Sequence, residues 1–207
     1  MRTANMTGPL DKQMADPESQ NVGMSLVMLR HAFPAALNED VERVGEVLPC
    51  PILDREPNGI GPIFLSGERI KIPDRVYYPE IQYSHRTDLT EIQRCMLSCI
   101  YTRHYDGLVR EKQIGSLLGI DRLWVQPFII QLIGEYVIEI VEFIDRNKAS
   151  LAVPCMSAFI EENPDFMELT TQRAISYWNC YYRGRFPKKE NYPGLRLLRH
   201  LEQTVKV

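Results

Sequence analysis

The chain has 207 residues, of which 44% are hydrophobic and 25% charged, with a formal net charge of −3. That length and composition fit a water-soluble globular protein with one domain of ordinary size and an extension, large enough to bury a real core. The slightly acidic balance excludes binding to nucleic acid through the overall field, so any such role would need a local basic patch.

Residues 1–22 carry Gly8, Pro9, Asp11, Lys12, Asp16, Pro17 and Glu18 with no apolar period, and are expected to form a disordered extension. Met1–Pro9 lacks the apolar stretch of a signal peptide, and the later Met24–Leu29 is short and followed by Arg30 and His31, so no secretion is expected. Residues 23–86 read as an irregular segment. Leu37, Val41, Val44 and Val47 recur at helical steps and predict a short helix over 38–47. Pro49, Pro51, Pro57, Asn58-Gly59 and Gly61-Pro62 then exclude a regular element. Ile63-Phe-Leu65, Ser66-Gly67 and the alternating Arg69-Ile-Lys-Ile72 predict a small hairpin closed off by Pro73, with Val76–Tyr78 a further extended piece. So short a ribbon cannot stand alone and must lie against helices.

Residues 87–207 read as a helical domain. Thr90 with Gln93 fits a capping box, and Ile92, Cys95, Met96, Cys99 and Ile100 make one apolar face that ends at Arg103 and His104. Asp106 is a natural cap for a helix over 108–118, which Gly119 stops. From Trp124 to Asn147 the chain is apolar almost all the way round a helix, and predicts one long buried rod at the centre of a bundle. Gln131, Glu135, Glu139 and Glu142 fall on a single stripe of it, read as solvated or as a dock for basic residues. Three carboxylates inside the run argue against a membrane span. Further helices are expected over 150–162, from the Asn163-Pro164 start to about Gly184, and around Leu195–Leu201. The fold class is therefore mainly α: a helical bundle, or a short HEAT-like helical array, with a small β-hairpin packed against it.

Within this order, Asp106, Val109, Arg110, Leu118 and Gly119 resemble the second helix of a HEAT-type repeat, although Lys112, Gln113 and Ile114 replace its usual alanines. The resemblance covers residues 106–119 only, and a true array should repeat the unit. It implies stacked helix pairs and a surface for other macromolecules, and it implies no catalytic residues.

Candidate chemistry is sparse. Tyr101-Thr-Arg-His-Tyr-Asp106 is the densest polar cluster, where His104 could act as acid or base with Asp106 orienting it and Arg103 holding an anion. The structural reading of the same residues is a helix end answered by cations and followed by a cap. Cys95 and Cys99 could ligate zinc with His85 or His104, but lack the usual short spacings, and no metal or cofactor is expected. The five cysteines, Cys50, Cys95, Cys99, Cys155 and Cys180, are odd in number and scattered, which suits free thiols in a reducing, cytoplasmic setting. From Arg183 onward, Arg183, Arg185, Lys188, Lys189, Arg196, Arg199 and Lys206 face only Glu190 and Glu202, with Tyr181, Tyr182, Phe186 and Tyr192 interleaved. That pattern suits phosphate contact with base stacking.

The leading expectation is a non-catalytic intracellular binding or adaptor domain that takes a protein partner or a second copy of itself. Its surface is to be sought at Trp124, Tyr101, Tyr105, Tyr177, Tyr181 and Tyr182, with Arg183, Arg185, Lys188 and Lys189 nearby. Nucleic-acid association through the basic C-terminal segment is the second reading. An enzyme using His104, Asp106 and Arg103 is the third.

Overall fold

Every residue of Gln126–Ile133 is buried, and this helix is the axis on which the others are laid. The computed structural model describes residues 26–52, 61–151 and 153–205, apart from the side chains of residues 83 and 85. The expected extension over 1–22 and the breakers Pro57 and Asn58-Gly59 lie outside the described residues. The fold is mainly helical with one small antiparallel hairpin. In chain order the helices are α1 (26–31), α2 (Asn38–Val47), α3 (Tyr83–Thr87), α4 (Glu91–Tyr101), α5 (Gly107–Ile114), α6 (Gln126–Ile133), α7 (Ile138–Arg146), α8 (Val153–Glu162), α9 (Pro164–Tyr177) and α10 (Pro193–Val205). Strands β1 (Ile63–Leu65) and β2 (Glu68–Ile70) stand between α2 and α3.

Several boundaries follow from local chemistry that the sequence displays. Thr90 and Gln93 close a reciprocal capping box at the start of α4, each side chain taking the other's backbone N–H. The Asp106 carboxylate accepts from the Leu108 N–H and starts α5. Ser66 and Gly67 both have positive φ (53° and 83°), as a tight two-residue hairpin turn requires. The long rod expected over 124–147 is instead two helices. α6 stops at Gly134, Val137 is extended, and α7 restarts at Ile138. No helix among the described residues is long and apolar enough to cross a membrane.

Packing explains where the break falls. A Cβ on Gly134 would stand 2.9 Å from the Thr170 methyl and 3.2 Å from its carbonyl, so α6 and α9 approach as closely as they do because no side chain intervenes. A Cβ on Gly194 would likewise meet the Tyr192 ring at 2.9 Å and the Ile133 carbonyl at 3.2 Å, which seats the start of α10 on the end of α6. α7, α8, α9 and α10 thus surround α6, while α2 packs on α4 and α5 on α7. The buried core is continuous from Leu29 to Leu201. Phe33 joins the N-terminal turns to it, stacking on Phe128 at 5.5 Å and meeting Trp124 edge-on at 5.6 Å.

The hairpin is held by the corner between α8 and α9. Asn163 stands at the N-terminal boundary of α9 but makes no side-chain cap. Its amide turns to β1, accepting from the Phe64 N–H at 2.7 Å and donating to the Phe64 carbonyl at 2.8 Å, so it acts as a substitute neighbouring strand. The Glu162 carboxylate takes the N–H groups of Ser66 and Gly67 in the turn, at 2.8 and 2.6 Å. Because Asn163 is buried, replacing it strands two backbone groups, whereas Glu162 is only half-buried. Asn163→Ala should lower unfolding free energy by about 2–4 kcal/mol and Glu162→Ala by about 1 kcal/mol. Urea denaturation measures both, and an Asn163→Ala loss below about 0.5 kcal/mol would show that the hairpin is held by something else.

Candidate functional site

The four residues between α6 and α7, Gly134 to Val137, send one side chain inward and the next outward. Gln131 is buried, and one turn later so is Glu135, which turns in and meets the second of the two readings of the stripe, a dock for basic residues, rather than a solvated face. Its carboxylate is reached by three guanidinium groups. Arg103 Nη2 is 2.6 Å from Oε1, Arg75 donates to both oxygens at 2.9 and 3.1 Å, and Arg110 Nε lies 3.3 Å from Oε2. That last contact is an ion pair without hydrogen-bond geometry. The glutamate is buried because the α4–α5 corner and the 73–76 strap each deliver an arginine that needs it.

The same arginines sew the surrounding backbone. Arg103 donates to the carbonyls of Pro73, Asp74 and Thr102, and Arg110 to those of His104 and Tyr105. Between them runs a single parallel bridge, with the Val76 N–H donating to the Arg103 carbonyl and the Tyr105 N–H to the Val76 carbonyl. Of the extended piece expected at Val76–Tyr78, Val76 alone forms this bridge. Burial alone would raise the Glu135 pKa, but Arg103, Arg75 and Arg110 outweigh it and hold the carboxyl below its ordinary value. Burial pulls the Arg103 guanidinium down to about 10, against the pull of Glu135.

The residues considered for acid–base chemistry are engaged elsewhere. Arg103 is spent on Glu135 and the strap. His104 is buried, with Nε2 2.8 Å from the Tyr78 carbonyl and Nδ1 accepting the Asp106 N–H at 3.0 Å, which suits the tautomer carrying its proton on Nε2. Asp106 caps α5. Of the aromatic candidates, Tyr101 is fully buried, with its hydroxyl donating to the Pro79 carbonyl and accepting from the Ile81 N–H, and burial pushes its pKa up to about 12. Trp124 is 7% exposed and belongs to the core. Tyr105 is half-exposed and stacks on Tyr77 at 5.6 Å. Cys95 and Cys99 share a thiol hydrogen bond on α4; Cys99 is buried, which raises it, while its bond lowers Cys95. The side chain of His85 lies outside the described residues. No group of three or more His, Cys, Asp and Glu side chains among the described residues could hold a metal ion.

On the outer side, Tyr136 begins a row of rings. It meets Tyr177 at 6.0 Å, Tyr177 meets Tyr181 at 6.2 Å, and Tyr181 meets Tyr182 at 6.3 Å. Tyr182 then stacks on the buried Tyr192 at 5.6 Å. Beyond Tyr177, α9 widens into a π-helical turn, Trp178–Tyr182, which brings Tyr181 and Tyr182 onto the same side. The Tyr182 hydroxyl donates to the Tyr136 carbonyl, satisfying a backbone group freed by the break. Tyr181 is 69% and Tyr136 49% exposed. Arg183 lies over Trp178 at 5.4 Å and Arg185 over Phe186 at 5.2 Å, and Arg185 also pairs with Glu142 at 2.6 Å. Lys188 and Lys189 are exposed and make no ion pair with the described residues. Tyr136 was missed by sequence reasoning because its place in an assumed continuous helix gave no sign that it would face water. The signal was Gly134, a residue that costs about 1 kcal/mol inside a helix.

No family model matches the sequence, and neither a curated protein nor a solved structure matches it significantly.

Removing the Glu135 charge leaves two fully buried cations, Arg103 and Arg110, and the partly exposed Arg75 without their counter-ion, and Glu135→Gln should cost about 3–5 kcal/mol of stability. Its folded pKa is depressed, so the stabilisation is complete above its ordinary value of 4.5 and fades as the pH falls through the lower folded value. Stability of the wild-type chain should therefore decline more steeply below pH 4.5 than that of Glu135→Gln. Denaturation curves across that range, parallel for the two proteins, would contradict the assignment.

Proposed function

We propose that the chain is a non-catalytic binding module, which takes a protein partner or a second copy of itself on the row formed by Tyr136, Tyr177, Tyr181 and Tyr182. The observation that carries this reading is that row: adjoining rings, two of them 49% and 69% exposed, running from the α6–α7 break to the end of α9 with Arg183 alongside. Tyrosine offers a large contact area at small entropic cost, and tyrosine with arginine is the composition of interface hot spots. The engagement of Arg103, His104 and Asp106 in the fold also favours binding over catalysis.

A protein is preferred over nucleic acid as the occupant because the basic segment is partly answered from within. Arg185 is paired with Glu142, and Glu139 lies close enough to Tyr182 to raise its pKa, after the larger effect of burial. A phosphate backbone would meet those carboxylates along with Lys188 and Lys189.

Capture from native extract with the wild-type chain and with Tyr181→Ala/Arg183→Ala, each with and without nuclease, tests the proposal. Both side chains are exposed, so the double variant should keep its melting temperature. A protein retained by the wild type, resistant to nuclease and at least tenfold depleted on the variant is the expected result, as is self-association lost in the variant by sedimentation. Retention that nuclease abolishes would transfer the surface to nucleic acid, and an unchanged retained set would remove the tyrosine row from recognition.

A further inference from the structure

A cavity of about 260 Å³ lies between α1, the end of α2 and the chain that follows it. Its origin is local. A Cβ on Gly45 would stand 3.0 Å from a Leu26 methyl and 3.8 Å from one of Leu29, so α1 and α2 close on each other at that point. Beyond Val47 the helix does not continue: Leu48 is extended, and Pro49 and Pro51 supply no backbone N–H. The chain turns instead toward Tyr77, whose carbonyl accepts the Ile52 N–H at 2.7 Å. Leu26, Leu29, Leu48, Pro49, Pro51 and Tyr78 make the walls apolar, while Arg30, Glu42 and Glu46, all exposed, line the open side. Charge on that side is uneven. Glu42 pairs with Arg30, within the lining. Glu46 is answered at 2.7 Å by Arg43, which lies outside the lining, and so exposed a pair is weak and easily exchanged. The lining thus sets two carboxylates against one guanidinium.

We infer that this cavity is a binding site for a small molecule with an apolar, ring-sized body and a protonated amine, an arylalkylamine in chemical class. A cavity of roughly 150 Å³ lined by Leu, Ile and Phe side chains takes up benzene, so there is room here for a ring and a short tail. The apolar walls remove the ring from water, and the amine exchanges for Arg43 at the Glu46 carboxylate. An anionic end group meets Glu42 and Glu46 with like charge, and Arg30 is already spent on Glu42. A neutral end group gains nothing from Glu46. Cys50, an exposed free thiol in the same lining, takes no part in binding and reports whether the cavity is filled. The site shares no residue with the tyrosine row and does not depend on it.

The test is alkylation of the whole chain by iodoacetamide at neutral pH, read cysteine by cysteine by mass spectrometry in rising concentrations of phenethylamine. Phenethyl alcohol and phenylacetate, at the same ionic strength, are the neutral and anionic counterparts. Cys180, exposed and outside the lining, is the internal control. The expected result is saturable protection of Cys50 by the amine in the millimolar range or below, with Cys180 unprotected. The midpoints for the alcohol and the carboxylate should be higher by about fivefold or more. Glu46→Gln removes only an exposed ion pair, so the fold should survive it, and the amine midpoint should rise to that of the alcohol. Failure to protect Cys50, equal protection of Cys180, an alcohol or carboxylate that binds as tightly as the amine, or an amine midpoint that Glu46→Gln leaves unchanged overturns the site.

Discussion

One buried carboxylate holds this structure together at the place where its chain topology is least regular. Glu135 sits where α6 has ended and α7 has not begun, and a helix C-terminus is an unfavourable site for an anion because the dipole there is already negative. The three arginines make it tolerable, and in return it makes them tolerable. Glu135, Arg103 and Arg110 would not be stable in the interior without one another, since an isolated buried charge costs several kcal/mol even after relaxation, and the partly exposed Arg75 completes the cluster. The cluster ties together the strap at 73–76, the α4–α5 corner and the α6–α7 break, which come from separate stretches of the chain.

The outward face of the break adjoins that cluster. Tyr136 follows Glu135 directly, its carbonyl receives the Tyr182 hydroxyl, and its ring starts the row that runs along the end of α9. α10 reinforces the arrangement from behind, through the Tyr192 ring and through Arg196, which pairs with Asp145 on α7. Burial would raise the Asp145 pKa, but Arg196 and Lys148 hold it below the usual carboxylate value. An exposed aromatic surface built this way loses little freedom on binding, because its rings are positioned before a partner arrives.

The elements set by short-range chemistry were legible in the sequence. The helix over 38–47, the capping box at Thr90, the cap at Asp106 and the hairpin around Ser66-Gly67 depend on residues a few positions apart, and these appear where the pattern places them. What could not be read depends on partners far along the chain. The periodicity of 124–147 runs smoothly across the break because isoleucine and valine flank it on both sides, so only Gly134 marked it. Glu135 reads as solvated or as a dock for basic residues, and Arg75 and Arg103, from distant stretches, decide for the dock. Asn163 has the residue type and position of a cap, yet its amide serves a strand 99 positions earlier. Tyr101 and Trp124 are amphipathic residues whose burial is decided by helices that the sequence alone does not orient. Tyr181 and the basic residues after it were legible as surface because charge and turn signals surround them.

Glu135 and Arg103 act as a unit at the centre of the buried cluster. A double-mutant cycle of Glu135→Gln, Arg103→Met and the pair, read by equilibrium unfolding in urea, tests it most directly. A coupling free energy of about 2 kcal/mol or more, the double variant being less damaged than the sum of the single ones, is the result expected. Additivity within about 0.5 kcal/mol would mean that the two groups do not depend on one another, and that something else holds the break in place.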